Sequence, residues 1–174
     1  LAESLDFDGA TVTKQGDGRL QFDATATGSG QLDVMAGTVG GDGVIGGSLH
    51  VTAGAVTPGS GTGDLEVRGT FTMEAAATLE IEIASNLSTN YDRLNVTGEA
   101  NLDGTLSVEL LEGYQPPVGT NFLVFTASGL TNHGLTLAGP DANSFSLLVT
   151  GTNLILKAIS PGDSATVPEP VSLM

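Results

Sequence analysis

The chain contains no cysteine and no tryptophan. Without thiols there can be no disulfides, no cysteine-ligated zinc and no cysteine nucleophile, so stability must come from apolar burial and backbone hydrogen bonds. Basic residues are scarce too: five Lys and Arg stand against twenty Asp and Glu, a net charge of −15. So acidic a surface repels nucleic acid and anionic membrane, which argues against both as direct partners and favours cations or cation-bearing surfaces. Aromatic residues make up 5% of the chain, few for stacking against sugars. No apolar run reaches the roughly 20 residues of a membrane helix, and no basic-then-apolar leader precedes the first strands. The sequence starts at Leu1 rather than Met, so an upstream segment is expected to have been removed.

What is present is abundant glycine, 25 in all, together with frequent threonine and short apolar alternations. With 174 residues and no composition break large enough for a second core, the chain is expected to form one domain plus tails. A three-residue pattern, Leu, any residue, then Val, Ile or Phe, recurs at Leu20/Phe22, Leu32/Val34, Leu49/Val51, Leu65/Val67, Leu79/Ile81, Leu94/Val96 and Leu106/Val108. The middle residue is mostly polar (Gln21, Asp33, His50, Glu66, Glu80, Asn95, Ser107), the period-two signature of a strand with one buried face. Connectors such as "GTVGGDGVIGG" and "TPGSGTGD" carry turn residues. The steps between successive leucines of the series are unequal, shortest from Leu20 to Leu32 and from Leu94 to Leu106 and longest from Leu32 to Leu49, too irregular for a strict solenoid. They suit a β-helix whose coils hold two or three strands, with an antiparallel β-sandwich as the alternative.

The alanine-rich stretch 72–87 has helix-forming residues, yet Phe71, Met73, Leu79, Ile81 and Ile83 keep a spacing of two, which predicts a strand. After the double proline of "EGYQPPVGTNF", the runs "FLVF", "FSLLV" and "LILKA" are nearly continuous apolar segments. These read as strands covered on both faces in a terminal cap. The expected division is an N-terminal strand or arm over 1–18, a repeat region over 19–111, a C-terminal β cap over 112–158 and a proline-rich tether over 159–174.

Two resemblances follow from these residues. The stretch from "GDGVIGGSLHVTAGAVTPG" through "LEVRGTFTMEAAATLEIEI" and "YDRLNVTGEANLDGTLSVELLEGYQPPVGTNFLVF" to "ASGL" resembles the passenger region of bacterial autotransporters and related surface proteins, over about residues 40–130. That resemblance implies a right-handed parallel β-helix displayed outside the cell, a fold shared by adhesins, matrix proteins and some enzymes. No transporter-type barrel follows it, a departure from true autotransporters. The tail Val167, Pro168, Glu169 and Pro170, followed by "VSLM", resembles the PEP-CTERM sorting signal of Gram-negative bacteria, without the apolar helix and basic cluster that complete it. This second resemblance implies export to the extracellular space or outer cell surface, with an exosortase-type enzyme as processing partner.

Candidate chemistry is sparse. The turns around Asp6, Asp8, Asp17 and Asp42 offer the hard oxygen environment that calcium prefers, although Gly-Asp more often supplies only a turn. His50 and His133 stand far apart in the chain, and His50, at an outward strand position, reads as a lone exposed imidazole. Glu80, Glu82 and Glu109 on outward strand faces resemble the paired carboxylates of polysaccharide-cleaving β-helices, although a solvated face is the plainer reading of them. The cations that would accompany them, Lys14, Arg19, Arg68, Arg93 and Lys157, do not cluster in sequence. "GDS" at 162–164 lies in the tether, with no packed shell to organise a nucleophile. "NLS" at Asn86 and "NVT" at Asn95 match glycan acceptor sites but carry little weight in a bacterium.

These features lead to the expectation of a non-enzymatic, secreted structural protein of a matrix, sheath or fibre. Its partners would be copies of itself and extracellular polysaccharide, with calcium as the one candidate cofactor. Leu5, Phe7 and Val12 mark a weakly alternating segment that could be lent as a strand to a neighbour. The alternatives are a surface adhesin or glycan-binding stalk and a polysaccharide-acting enzyme.

Overall fold

The structure, a computed structural model, describes residues 7–160. Among these residues there is no α-helix, only strands and two short 3-10 turns. The chain circulates through three strand positions. The first round is β1 (Thr11–Lys14), β2 (Arg19–Gln21) and β3 (Thr25–Ala26), and the second is β4 (Gln31–Val34), β5 (Thr38–Gly41) and β6 (Val44–Ile45). In the third and fourth rounds one bent strand serves the first two positions: β7 (Ser48–Pro58) is followed by β8 (Asp64–Val67), and β9 (Phe71–Ile83) by β10 (Arg93–Val96). Next come β11 (Glu99–Leu102), β12 (Thr105–Leu110) and β13 (Asn121–Thr126), then β14 (Gly129–Asn132) and β15 (Thr136–Ala138). The described residues end with β16 (Phe145–Val149) and β17 (Asn153–Ala158).

Strands pair in parallel with the same position of the next round. First and second positions together build a ten-stranded sheet through β7 and β9, and the five third-position strands with β17 and β16 build a seven-stranded one. Among the described strands only β13–β17 and β16–β17 pair antiparallel. The architecture is therefore all-β with one parallel and one mixed sheet, and the pairing departs from an antiparallel sandwich. Parallel pairing begins at β1, inside the segment expected as an arm, and continues to β15, inside the segment expected as a cap.

Register stacks like on like. Val12, Leu32, Leu49, Phe71, Ala100 and Leu130 form one inward column. A second holds Leu20, Val39, Val56, Leu79, Leu106 and Leu137. A third holds Ala26, Ile45, Val67 and Val96. Their central members are buried, so the repeated leucines do share one interior. The Leu-x-Val copies fall at different strand positions: Leu49/Val51 at the first, Leu79/Ile81 at the second and Leu65/Val67 at the third. This explains their irregular spacing, because the true repeat is the round. Rounds themselves differ in length: at the first position the step from Gln31 to Ser48 is the shortest, and those from Phe71 to Ala100 and from Ala100 to Leu130 are the longest.

Glycine sets how closely rounds approach at one corner. Just before the first position of successive rounds stand Gly30, Gly47, Gly69 and Gly98, and the carbonyls of Gly30, Gly47 and Gly69 accept from the N–H of Ser48 (2.9 Å), Gly69 (3.0 Å) and Gly98 (3.1 Å). A Cβ built at Gly47 would overlap the Gly30 carbonyl oxygen, and one at Gly98 would collide with the Gly69 carbonyl.

The helix-prone stretch is strand, as its period predicts: β9 runs from Phe71 to Ile83. The last apolar runs form β13, β16 and β17, closing the array over an edge-to-face aromatic cluster of Tyr91, Phe122 and Phe145. They are not covered on both faces, however. Leu123 and Leu148 are exposed on the outer side, in register with Ile155 between them. The β-bulge at Leu123–Phe125 turns both Val124 and Phe125 inward, which reads in sequence as a continuous apolar run.

Replacing Leu79 by Ala should cost about 2–5 kcal/mol, because it opens a cavity between rounds. Gly47→Ala should cost about 1–3 kcal/mol by overpacking backbone against backbone. Leu123→Ala should leave stability nearly unchanged. Urea midpoints of the three variants check this order.

Candidate functional site

Extra residues of the wider rounds gather at the corner between second and third strand positions, in segments 59–63, 84–92, 111–120 and 139–144. Side-chain carboxylates fasten this corner. Asp92, 1% exposed, accepts from the N–H of Gly63 in the preceding round (2.7 Å) and of Glu82 at the end of β9 (2.8 Å). Asp42 accepts from the N–H of Asp64 (3.0 Å) and Asp141 from that of Leu110 (2.7 Å). Each ties one round to its neighbour, where loops break the backbone ladder and leave N–H groups needing partners.

Beside Asp92 lies a cleft of about 110 Å³ lined by Arg19, Thr57, Gly59, Glu80, Glu82 and Asp92. Arg19 belongs to the first round but reaches the third, donating to the Thr57 hydroxyl (2.6 Å), the Thr57 carbonyl (3.3 Å) and the Gly59 carbonyl. Its guanidinium passes over Gly40, where any Cβ would meet it. One of the five cations that do not cluster in sequence is thus brought by the fold to the outward glutamates. Glu82 stands in register with Glu109 on β12. Burial raises its pKa, with Glu109 and Glu80 pushing the same way and Arg19 opposing them. Burial also pushes Asp92 up to about 8, outweighing the two N–H bonds that favour its charged form.

A second polar site lies on the outer face of the first strand position. His50 is not a lone imidazole: Nδ1 is 3.3 Å from Asp33 and Nε2 3.3 Å from Glu74, in the rounds on either side. His133 Nε2 is 3.4 Å from the Asn101 Oδ1, and both residues line a cleft of about 330 Å³ with Thr72, Glu74 and Asp103. The two histidines, remote in sequence, therefore flank the same glutamate.

The other residues singled out by sequence are dispersed. Asp8 occupies a turn at φ 38°, Asp17 is exposed, and Asp42 is a brace between rounds. Among the described residues no group of three or more His, Asp or Glu side chains is placed to hold a metal ion. Phe7 is 1% exposed and its N–H donates to the Thr27 carbonyl, while Val12 pairs with Leu32, so this segment is engaged within its own chain. Asp6, Leu5 and the motif Val167, Pro168, Glu169 and Pro170 lie outside the described residues. Asp92 went unnoticed in sequence because "NYDRL" reads as an ordinary strand entry, and nothing local marks its carboxylate as buried. No family model matches the chain, and no curated protein matches it in sequence.

Asp92 generates a pH prediction. It ionises near its ordinary 3.8 when unfolded and near 8 when folded, so folding takes up a proton across that interval. Stability should decline as pH rises from about 4 to about 8. In Asp92→Asn that part of the decline should vanish, and thermal melts of both proteins from pH 4 to 9 would show it. Parallel curves would contradict the assignment.

Proposed function

We propose that the chain is a right-handed, three-sided parallel β-helix with an antiparallel C-terminal cap, and that it serves as a non-enzymatic structural subunit of an extracellular matrix, sheath or fibre. The circuit of three strand positions, each pairing in parallel with the next round, supports the coil. Its hand follows from the strong preference of parallel crossovers for the right-handed sense. The sequence at 167–170 supports export from a Gram-negative cell. A structural role accords with carboxylates spent on fastening loops. It accords too with the size of the cleft beside the outward glutamates, about 110 Å³, well below the roughly 300–1,000 Å³ typical of ligand pockets.

The observation that carries self-association is that both ends of the array carry strands with an unpaired edge. Among the described strands, β1, β2 and β3 at one end and β14, β15 and β16 at the other each pair on one side only. Lys14, in register with buried Val34, donates to the carbonyls of Gly16 (2.6 Å) and Ala36 (3.0 Å). A charge at an inward register position discourages edge pairing, so association through this end should be weak and tunable. Light scattering and negative-stain microscopy should show assembly strengthening with salt or calcium and weakening with chelator, as screening relieves self-repulsion. Lys14→Leu should assemble at lower protein concentration. Unchanged monomers under all these conditions would sink the proposal.

A second reading, a glycan-binding surface stalk, is favoured by the 330 Å³ cleft with Glu74, Asp103 and His133. A glycan array separates the two, since a passive subunit gives no selective binding.

A further inference from the structure

Charge is spread unevenly along the chain. Between Gly113 and Ser160 the only acid is Asp141 and the only Lys or Arg is Lys157; apart from Asp163 and Glu169, every other acid precedes them. Asp141 is committed to the Leu110 N–H. The C-terminal cap is therefore a surface on which two copies of a chain of net charge −15 can meet without opposing carboxylates.

At the edge of that cap lies β16, paired among the described strands only with β17. Two bonds bracket the β16–β17 ladder, from the Thr150 N–H to the Asn153 carbonyl (2.9 Å) and from the Ile159 N–H to the Ser144 carbonyl (2.9 Å). By the alternation of antiparallel pairs, Ser146 and Leu148 spend their backbone groups on β17, and Leu147 and Val149 turn theirs to the open edge. Natural edges are commonly guarded by charge, proline or a bulge. Lys14 guards β1, but β16 reads FSLLV, with no charge or proline and an unbroken register. On its outer face Leu148, 54% exposed, continues an apolar row from Leu123 through Ile155, and the row stops at the open edge.

We propose that β16 joins two copies of this chain, pairing antiparallel with its own counterpart about a two-fold axis at Leu148. The inference rests on the self-association proposed above and names the surface where it begins. An axis at Leu148 sets Leu147 opposite the partner's Val149, and Val149 opposite the partner's Leu147, so the outward N–H and carbonyl groups of both strands find each other. It also brings the two Leu148 side chains together at a non-hydrogen-bonded position, where cross-strand side chains are closest. The outer apolar row then runs unbroken from Leu123 of one copy to the partner's Leu123. A two-fold contact uses the same edge on both copies and closes. It yields a dimer, and growth beyond the dimer falls to the β1 end, where Lys14 weakens pairing. Because it joins two caps poor in acids, the dimer forms without added salt or calcium.

Sedimentation velocity of the full chain at low salt with chelator should find a concentration-dependent dimer. Leu148→Lys should weaken it by on the order of tenfold or more, because like charges then stand directly opposite. An equimolar mixture of Leu148→Lys and Leu148→Glu should restore it. The chain has no cysteine, so Leu148→Cys supplies a single thiol, and diamide should link two copies through it, since directly opposed strand positions lie within disulfide range. Leu123→Lys, on the same row but two strands in from the edge, should leave the dimer intact. A strictly monomeric protein, an unlinked Leu148→Cys, or a Leu148→Lys that dimerises as well as the unsubstituted chain would overturn the proposal. So would Leu123→Lys dissociating as readily as Leu148→Lys, by assigning the contact to the face of the sheet. Large assemblies that grow with calcium equally well in Leu148→Lys would overturn this interface and leave the fibre reading standing. Dimers that never grow further would support the interface and count against the fibre.

Discussion

Each strand residue in this protein is constrained by the one directly above or below it in the neighbouring round. Parallel pairing places strands about 4.8 Å apart, and that spacing fixes what each position can be. Inward columns must be apolar where a neighbouring strand covers them on both sides, as from Leu32 to Ala100. Where backbones approach most closely at the corner, the column must be glycine, as at Gly30, Gly47, Gly69 and Gly98. The interactions are nearest-neighbour, so cohesion accumulates round by round rather than around one central nucleus.

The ends of one column reveal how the array stops. Lys14, Val34, Val51, Met73, Leu102 and Asn132 share a register, and only the four central members are buried and apolar. Lys14 turns its ammonium to backbone carbonyls. At the other end the Asn132 Oδ1 accepts from the N–H groups of Gly134 (3.0 Å) and Leu135 (2.8 Å). Polar residues thus replace apolar ones where no further round covers them, and β17 and β16 complete the closure by reversing direction.

Length variation gathers at one corner, and so does most of the chemistry. A round can widen, from the short step between Gln31 and Ser48 to the long one between Ala100 and Leu130, without disturbing the columns, provided its additional loop is held. Asp42, Asp92 and Asp141 hold these loops by accepting backbone N–H groups across rounds. Burying Asp92 costs solvation of its charge, which is why its proton affinity rises despite two hydrogen bonds. The same corner contains a groove of about 470 Å³ beside Tyr114, because long loops leave space that short turns do not.

Local alternation in the sequence determined strand identity and which side chain of each pair faces inward: Leu79, Ile81 and Ile83 kept β9 a strand despite three alanines. It also marked the change of style after the double proline, where the antiparallel closure lies. The sheet and pairing partner of each strand were decided only by the tertiary structure, because partners lie far apart in sequence and loop length carries no signature of register. For the same reason, nothing local could foretell that Arg19 would cross to Thr57, that His50 and His133 would flank Glu74, or that Asp92 would be buried. Those groups meet because rounds stack, and stacking is a property of the whole array rather than of any one segment.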